Sequence, residues 1–227
     1  MLDIIGALEE IAMQRDTSTA EHGQSLGAVA LLVSEIIRCA RSDPSNLEPA
    51  LQSSLREASH RLDRVSLAVT GLAWLGGGAP SVEQEMIALV KGARHEVSLC
   101  AYSVTPGAIG LLSEMKDVVA QGVVATLIVN SLSTQPTEVQ SYLKEAVRSL
   151  ERWRLYDFAP LGSQTELHAK ILVVDRWAAL IGSANLSFHG LVSNHEMAVV
   201  VRGPTAEAIA SRIDMLTQQP SVRPVVS

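Results

Sequence analysis

The sequence predicts an α/β fold, in which helices pack on the faces of a β-sheet. Three apolar runs have the length and composition of buried strands, and they alternate along the chain with three segments of helical periodicity. The apolar runs span residues 97–103, 123–130 and 168–174, and the helical segments span residues 81–93, 106–121 and 136–150. Alternation of this kind is the order expected of a sheet with helices packed on it.

Later elements extend the same pattern to residue 218. They are strands at residues 153–158, 177–182 and 196–202, followed by a last helix at residues 205–217. We therefore predict an α/β domain over residues 81–218, with residues 219–227 as a C-terminal tail. His168 and Lys170 fall on a central strand of this domain, and Asn185 falls on the loop that leaves the next strand.

The first part of the chain predicts a separate helical region over residues 1–73. Helical periodicity is present at residues 2–14, 24–41 and 46–68. Residues 74–80 contain a glycine triplet and a proline, which break this periodicity, so we interpret them as a linker. A phosphate-binding loop is disfavoured there, because the triplet is not followed by the Lys-Ser/Thr pair that such a loop requires.

Charge excludes one class of nucleic-acid binder. The formal net charge is −6, so the sequence lacks the broad basic surface of an indiscriminate DNA-binding protein. A polyanion would have to meet a local patch, for which the candidates are Arg148, Arg152, Arg154, Lys170 and Arg176. For the arginines the alternative interpretation is a solvated helix end.

Cellular location is predicted from cysteine usage and from hydropathy. Cys39 and Cys100 fit neither a metal-ligand spacing nor a disulfide framework, which favours a reducing cytoplasm. The amino terminus carries an acidic residue where a secretory signal needs a basic one, and the apolar stretch that begins at Leu26 is interrupted by Glu35. We therefore expect a cytoplasmic protein with no membrane partner.

The group of residues with the clearest chemistry begins at His168-Ala-Lys170. In an extended strand, alternate side chains share a face and each residue rises about 3.3 Å, so both side chains would point the same way and one phosphoryl group could contact both. A neutral imidazole can attack phosphorus to form a covalent intermediate, and it can also serve as acid or base near neutral pH. The Lys170 ammonium would bind the phosphate oxygens.

Further donors follow within Gly182-Ser183-Ala-Asn185. The Asn185 amide and the Ser183 hydroxyl can donate hydrogen bonds to oxygens that gain charge in the transition state. Asp175 has the opposite strand parity to His168 and Lys170, so we assign it a supporting role. This chemistry needs no metal and no cofactor, and we predict neither.

These residues resemble the signature of the phospholipase D superfamily. The signature is His-x-Lys, four residues, Asp, six residues, Gly-Ser-x-Asn, and His168 to Asn185 matches it without a gap. The resemblance implies a mixed β-sheet flanked by helices and phosphodiester chemistry. Members of the superfamily also carry Asn-x-Glu before a final strand, as in Asn194-His-Glu196 here. By this resemblance Glu196 would bind the distal nitrogen of His168 and fix its tautomer.

The signature occurs once, because His168-Ala-Lys170 is the only His-x-Lys in the sequence. Many phospholipases of the superfamily carry two copies, whereas similar single-copy endonucleases are homodimers whose two signatures meet on a two-fold axis. The resemblance therefore implies a homodimer, which is also the commonest oligomer geometry.

The other histidines divide into two groups. His189 and His195 lie on the loop after Asn185, so they are candidates to contact substrate, with lining of that loop as the alternative. His22, His60 and His95 have no lysine two positions later, and we do not expect them to be catalytic. For His168 the alternative is a buried structural histidine, which the full spacing with Glu196 disfavours.

The expected function is a metal-independent phosphodiesterase, most readily a nuclease acting on DNA or RNA. The whole chain, including residues 101–105 and the 74–80 linker, also resembles the phospholipase D-like component of the bacterial antiphage systems called DISARM. That resemblance implies a defence protein encoded beside a helicase and a DNA methyltransferase, with invading DNA as its target. The alternatives are a non-catalytic scaffold of a defence complex and a phospholipase.

Overall fold

The computed structural model describes residues 63–74, 78–159 and 165–226. A compact unit begins at Arg64 and is built on one mixed sheet of eight strands, with helices on both of its faces. This confirms the predicted α/β fold with a mixed sheet. The helical periodicity predicted before residue 63 lies outside the described residues.

The strands are β1 (Arg64–Thr70), β2 (Glu96–Ala101), β3 (Val124–Asn130), β4 (Trp153–Phe158), β5 (Ile171–Val174), β6 (Ala178–Gly182), β7 (Glu196–Arg202) and β8 (Val222–Pro224). The α-helices are α1 (Val82–Lys91), α2 (Ile109–Ala120), α3 (Thr137–Ser149) and α4 (Pro204–Thr217). Short 3₁₀ turns lie at Leu72–Trp74, Pro106–Ala108 and Leu132–Thr134, and a π-helical turn lies at His189–Ser193.

The strand order places several strand ends at one edge of the sheet. The order is β1-β7-β6-β5-β2-β3-β4-β8, in which β2, β3 and β4 run parallel and every other neighbouring pair is antiparallel. Strands β1, β2, β3, β4 and β6 therefore end at the same edge at which β5, β7 and β8 begin. We call this the upper edge and the opposite one the lower edge.

Helices α1, α2 and α3 cover one face of the sheet, and α4 covers the other. Leu99, Leu127 and Leu172 belong to the first core, whereas their neighbours Cys100 and Ile128 belong to the second. Because both faces of β2 and β3 are buried, these strands appear in the sequence as continuous apolar runs. Burial also raises the pKa of the Cys100 thiol to about 12.

The first strand corrects one prediction. Helical periodicity is predicted to about residue 68, but residues 64–68 form most of β1, which pairs with β7 from Arg64↔Arg202 to Thr70↔Glu196. The alternation of β1 is the reverse of the usual one, in which the larger apolar side chains are buried. Here the small Ala68 and the polar Thr70 are buried, while Val65 is 65% exposed and Leu67 48% exposed. The compact unit thus includes residues upstream of the segment predicted as a linker.

The carboxyl-terminal segment also contains a strand. Val222–Pro224 pairs with β4, and Val222 is buried against the α4 side of the sheet. Residues 219–227 are therefore more than the tail that the sequence predicts. Among the helices of the described residues, none combines the length and the hydropathy needed to cross a membrane.

Candidate active site

The upper edge gathers polar side chains from four neighbouring strands. They are Tyr102 after β2, His168 and Lys170 before β5, Ser183 and Asn185 after β6, and Glu196 at the start of β7. Strand ends that meet at one edge bring residues distant in the chain together, which explains how one site draws on residues from 102 to 196.

His168 and Lys170 lie in the segment that enters β5. The predicted strand over residues 168–174 begins only at Ile171, although the Lys170 carbonyl already accepts a hydrogen bond from the Gly182 amide at 3.2 Å. The two side chains converge: Lys170 Nζ lies 3.1 Å from His168 Nδ1 and 3.2 Å from Nε2. Nζ also donates to the His168 carbonyl at 2.9 Å, which holds the lysine beside the imidazole.

The Lys170 ammonium lies in a partly desolvated environment. Its burial lowers the pKa of Lys170 below that of an exposed lysine, while the negative charge of Glu196 acts in the opposite direction. His168 itself is exposed, so an incoming group can reach the imidazole. A cation that is poorly solvated attracts an anion more strongly than one in bulk water.

Glu196 has different partners from the one implied by the superfamily resemblance. Within the described part of the chain, its carboxylate accepts hydrogen bonds from Ser183 Oγ and from Asn194 Nδ2, the latter at 3.3 Å, and makes none with His168. The expected contact is therefore wrong for this chain taken alone. The reason is sheet order: β6 lies between β5 and β7, so Ser183 at the end of β6 is the nearer neighbour.

Gly182 permits the close approach that places Ser183 beside Glu196. A Cβ at Gly182 would lie 2.7 Å from the Ala198 Cβ and 2.9 Å from the Met197 carbonyl oxygen, distances that real side chains do not adopt. The next residue then bonds to β7 twice, because the Ser183 amide donates to the Met197 carbonyl and the Met197 amide donates to Ser183 Oγ. The Gly-Ser pair thus has a steric explanation.

Asn185 is held by its loop. The loop is tied to the exit of β2, where the Thr105 amide donates to the Leu186 carbonyl at 2.8 Å. Gly190 packs on the backbone of Asn185, since a Cβ at residue 190 would lie 2.4 Å from the Asn185 carbonyl oxygen. In the portion of the chain that is described, Asn185 Oδ1 is buried without a hydrogen-bond partner. Buried polar atoms are normally paired, so this oxygen is an exception, and the donor that an anionic group could use is the Asn185 Nδ2 amide.

Asp175 lies at the lower edge, away from these groups. Its carboxylate accepts backbone hydrogen bonds from Arg94 at 2.9 Å, His95 at 2.8 Å and Glu96 at 2.9 Å. The parity argument does not apply, because Asp175 (φ 51°) and Arg176 (φ 54°) form the turn between β5 and β6 rather than extended strand. The contacts are those of a residue that joins this turn to the start of β2, in keeping with a supporting role.

The proposed basic patch does not form at the site. Arg176 donates to Asp214 at 2.8 Å and to Ser211 at 3.0 Å, and Asp214 holds the pKa of Arg176 above its usual value. The other three candidate arginines lie at the lower edge, where α3 ends and β4 begins. They are Arg148, Arg152 and Arg154. Of the five candidate cations, Lys170 alone lies at the upper edge.

His189 and His195 both have partners within the protein. His189 Nδ1 lies 2.9 Å from Ser193 Oγ within the π-helical turn. His195 Nε2 accepts a hydrogen bond from the Ala73 amide at 3.2 Å, and its ring meets Trp74 edge-on with centroids 6.2 Å apart. Both histidines are exposed at the upper edge, and contact with substrate stays a prediction for each.

Sequence reasoning missed the buried polar framework beneath the site. Gln135 Nε2 donates to the carbonyls of Asn130 at 2.8 Å and Tyr102 at 3.2 Å, and its Oε1 accepts from the Val104 amide. Asn130 Oδ1 accepts from the Leu167 amide at 2.8 Å, directly before His168. The available signal was a polar residue at the end of a buried apolar run, as at Asn130.

The site can therefore perform group transfer at an anionic centre. It combines an accessible imidazole, a partly desolvated ammonium, a hydroxyl–carboxylate pair and the side-chain amide of Asn185. No cluster of three or more His, Cys, Asp or Glu side chains that could hold a metal is present among the described residues. The fold and the site together define a phosphodiesterase-type α/β domain.

The chain belongs to the phospholipase D-like family. The family described as "Cardiolipin synthase, PLD-like domain" matches residues 86–217, which is more than half of the chain. The match begins within α1, runs to the end of α4 and includes all of the site residues, but it does not include β1. The resemblance to the phospholipase D superfamily is thereby confirmed.

The chain is similar to a curated relative and to solved structures, among them the two described below. The DISARM protein DrmC of Bacillus paralicheniformis is 25% identical over 118 residues, which are 51% of this chain and 47% of DrmC, so the match spans about half of that relative. Nuc from Salmonella typhimurium, a phospholipase D family member, has a TM-score of 0.58 and 19% identity, covering 73% of this chain and 100% of its own.

NucT from Helicobacter pylori has a TM-score of 0.56 and 18% identity, covering 72% of this chain and 100% of its own. At such identities the two structural likenesses establish the fold alone.

Proposed function

We propose that the protein is a metal-independent phosphodiesterase that cleaves nucleic acid. The observation that carries this proposal is the convergence of Lys170 Nζ on both ring nitrogens of an exposed His168, at 3.1 and 3.2 Å. A nucleophile and a phosphate-binding cation at one point are what phosphodiester cleavage requires.

The reaction begins with attack by the His168 imidazole on phosphorus. A P–N bond forms as the P–O bond to the leaving group breaks, and the leaving oxygen takes a proton from a general acid. Water then attacks the phosphohistidine, the P–N bond breaks, and a base removes the proton of the water. Lys170 and the Asn185 amide stabilise the charge on the non-bridging oxygens, and Ser183 and Glu196 form a supporting pair beside them.

The general acid is the second His168 of a homodimer. Each chain supplies one His-x-Lys, and a single imidazole cannot be both the nucleophile bonded to phosphorus and the acid that protonates the leaving oxygen. Two copies related by a two-fold axis through the upper edge would bring the two imidazoles to opposite sides of one phosphate. Exposure of His168 supports this arrangement.

Nucleic acid is the proposed substrate, and a cytoplasmic role in antiphage defence is the proposed setting. The similarity to the DISARM protein DrmC supports the setting, and the likeness of fold to Nuc and NucT is compatible with the substrate. In that setting a helicase and a DNA methyltransferase are the proposed protein partners, and invading DNA is the proposed target.

A phospholipid phosphodiester is the second candidate substrate. The description of the matching family as a cardiolipin synthase domain favours it. Its chemistry at phosphorus would be the same, so the two candidates differ in the group that the protein binds around the phosphate and not in the roles of His168 and Lys170.

A substrate panel tests the proposal. Labelled single-stranded DNA, duplex DNA, RNA and phosphatidylcholine vesicles are each incubated with the full chain in the presence of EDTA. We expect cleavage of nucleic acid that is lost in His168→Ala and retained in His95→Ala, a matched histidine at the lower edge. Turnover of lipid alone would favour the second candidate. No turnover, together with a defence phenotype that survives His168→Ala, would leave the protein as a non-catalytic scaffold.

A further inference from the structure

One aromatic ring contacts both His168 and Lys170. The centroid of the Tyr102 ring lies 4.5 Å from that of the His168 imidazole, with the two planes inclined at 58°. Lys170 Nζ lies over the same ring, 5.0 Å from its centroid. The phenol hydroxyl lies 3.4 Å from Glu166 Oε1, on the segment that leads to His168. The Tyr102 side chain thus contacts His168, Lys170 and Glu166.

The Tyr102 backbone is held independently of these contacts. Tyr102 directly follows β2, and its carbonyl accepts a hydrogen bond from the buried side chain of Gln135. Gln135 also accepts from the Val104 amide at 2.8 Å, so the polypeptide is fixed on both sides of residue 103. The backbone that carries the ring is therefore fixed, so the ring can restrict the positions of the side chains that it contacts.

The physical effect of the ring follows from its charge distribution. The face of an aromatic ring is electron-rich, so it attracts a cation placed over it, and this attraction grows when the cation is poorly solvated. Lys170 is such a cation, and the His168 imidazole becomes one whenever it carries an extra proton or a phosphoryl group. Glu196 is close enough to Lys170 for its negative charge to act on the ammonium, and Glu166 lies beside the Tyr102 hydroxyl.

We propose that Tyr102 is a positioning residue that holds the His168 imidazole and the Lys170 ammonium in their reactive arrangement through its ring. The hydroxyl is secondary, because it reaches an exposed carboxylate at the long limit of hydrogen bonding. The kinetic consequence of this role rests on the proposed phosphodiesterase function, whereas the contact between the two rings does not.

Phenylalanine and leucine at residue 102 separate the ring from the hydroxyl. With bis(4-nitrophenyl) phosphate as the probe, we expect Tyr102→Leu to lower kcat by about 10- to 100-fold with KM changed less than about threefold, because misplacement of reacting groups costs rate more than binding. Tyr102→Phe should retain kcat within about threefold, since it keeps the ring. Tyr142 is a matched control, because Lys116 Nζ lies 4.8 Å from the centroid of its half-buried ring on α3, away from the upper edge. Tyr142→Leu should leave both constants unchanged.

A spectroscopic measurement tests the contact without turnover. The ring protons of His168, assigned by comparison with His168→Ala, should be displaced by the ring current of Tyr102 in the wild type and in Tyr102→Phe, and should move to ordinary positions in Tyr102→Leu. Circular dichroism confirms that each variant is folded. If Tyr102→Leu leaves both kcat and the His168 resonances unchanged, or if Tyr102→Phe is as impaired as Tyr102→Leu, the positioning role is overturned.

These two measurements distinguish the failure of this inference from the failure of the proposed function. If the wild type cleaves no phosphodiester while the His168 resonances depend on the ring at residue 102, the proposed function fails and the positioning of the imidazole stands. If the wild type is active and neither readout responds to Tyr102→Leu, the inference alone fails.

Discussion

The two edges of the sheet differ in the partners that their polar side chains find within the fold. At the lower edge Asp175 and Arg176 both have partners: Asp175 accepts three backbone N–H groups, and Arg176 contacts Asp214 and Ser211. At the upper edge an ammonium contacts an imidazole, and Asn185 Oδ1 has no partner among the described residues. Paired groups stabilise a fold, whereas an exposed imidazole with an ammonium beside it can bind an anionic ligand. The upper edge is therefore where chemistry is expected.

Replacing His168 should have the largest effect of any single change. We expect His168→Ala to lower the cleavage rate by about a thousandfold or more, because the nucleophile is lost. The measurement is the single-turnover rate on the best substrate of the panel. His95→Ala at the lower edge is the control and should keep the wild-type rate; equal losses in the two variants would remove the distinction between the edges.

Removing the Lys170 charge should have the next largest effect. We expect Lys170→Met to reduce kcat by about 100-fold or more, because the negative oxygens lose their stabilising cation. Lys144→Met, on the exposed surface of α3, is a control that should change little. Because burial lowers the pKa of Lys170, the wild-type rate should begin to fall at a pH below the pKa of an exposed lysine. A rate that stays constant through that range would contradict the assigned role of the ammonium.

Neutralising Glu196 should have a smaller effect. Glu196→Gln keeps an acceptor for Ser183 but removes the charge, so we expect kcat to fall by about tenfold with substrate binding preserved. Binding is measured as the dissociation constant for an uncleaved substrate analogue. Glu138→Gln, at the start of α3, is the matched control. A large loss of binding with unchanged kcat would mean that Glu196 contacts the substrate instead of supporting the site.

Asp175 should affect stability and not catalysis. Asp175→Asn weakens the hydrogen bonds to the amides of residues 94–96, and we expect the free energy of unfolding to fall by about 1–2 kcal/mol. Denaturant unfolding gives this quantity, and the rate per folded molecule should match the wild type. A variant of normal stability with a reduced rate would place a catalytic function at the lower edge.

The parts of the fold that the sequence predicts are those in which burial is complete. Strands β2 and β3 are covered on both faces, so their apolar runs are continuous, and α3 shows a regular apolar stripe through Val139, Leu143 and Ala146. Strand β1 is an edge strand with its larger apolar side chains exposed, and its short sequence is compatible with the helical periodicity that is predicted to residue 68. Partial burial weakens the periodic signal on which such predictions depend.

The parts of the site that the sequence predicts are those that one segment carries. His168, Lys170 and Asn185 lie within eighteen residues, and their spacing indicates a shared site. The partner of Glu196 depends on which strand lies beside β7, and the role of Gln135 depends on the exits of β2 and β3. Both follow from sheet order, which neither periodicity nor motif spacing specifies.

The most direct test of the central claim is to trap the covalent intermediate. The protein is mixed with a ³²P-labelled substrate, quenched within one turnover at alkaline pH, digested and analysed by mass spectrometry. The account predicts an acid-labile phosphoryl group on His168 that is absent from His168→Ala. Phosphate on a serine such as Ser183, or cleavage with no labelled protein at any time point, would contradict it.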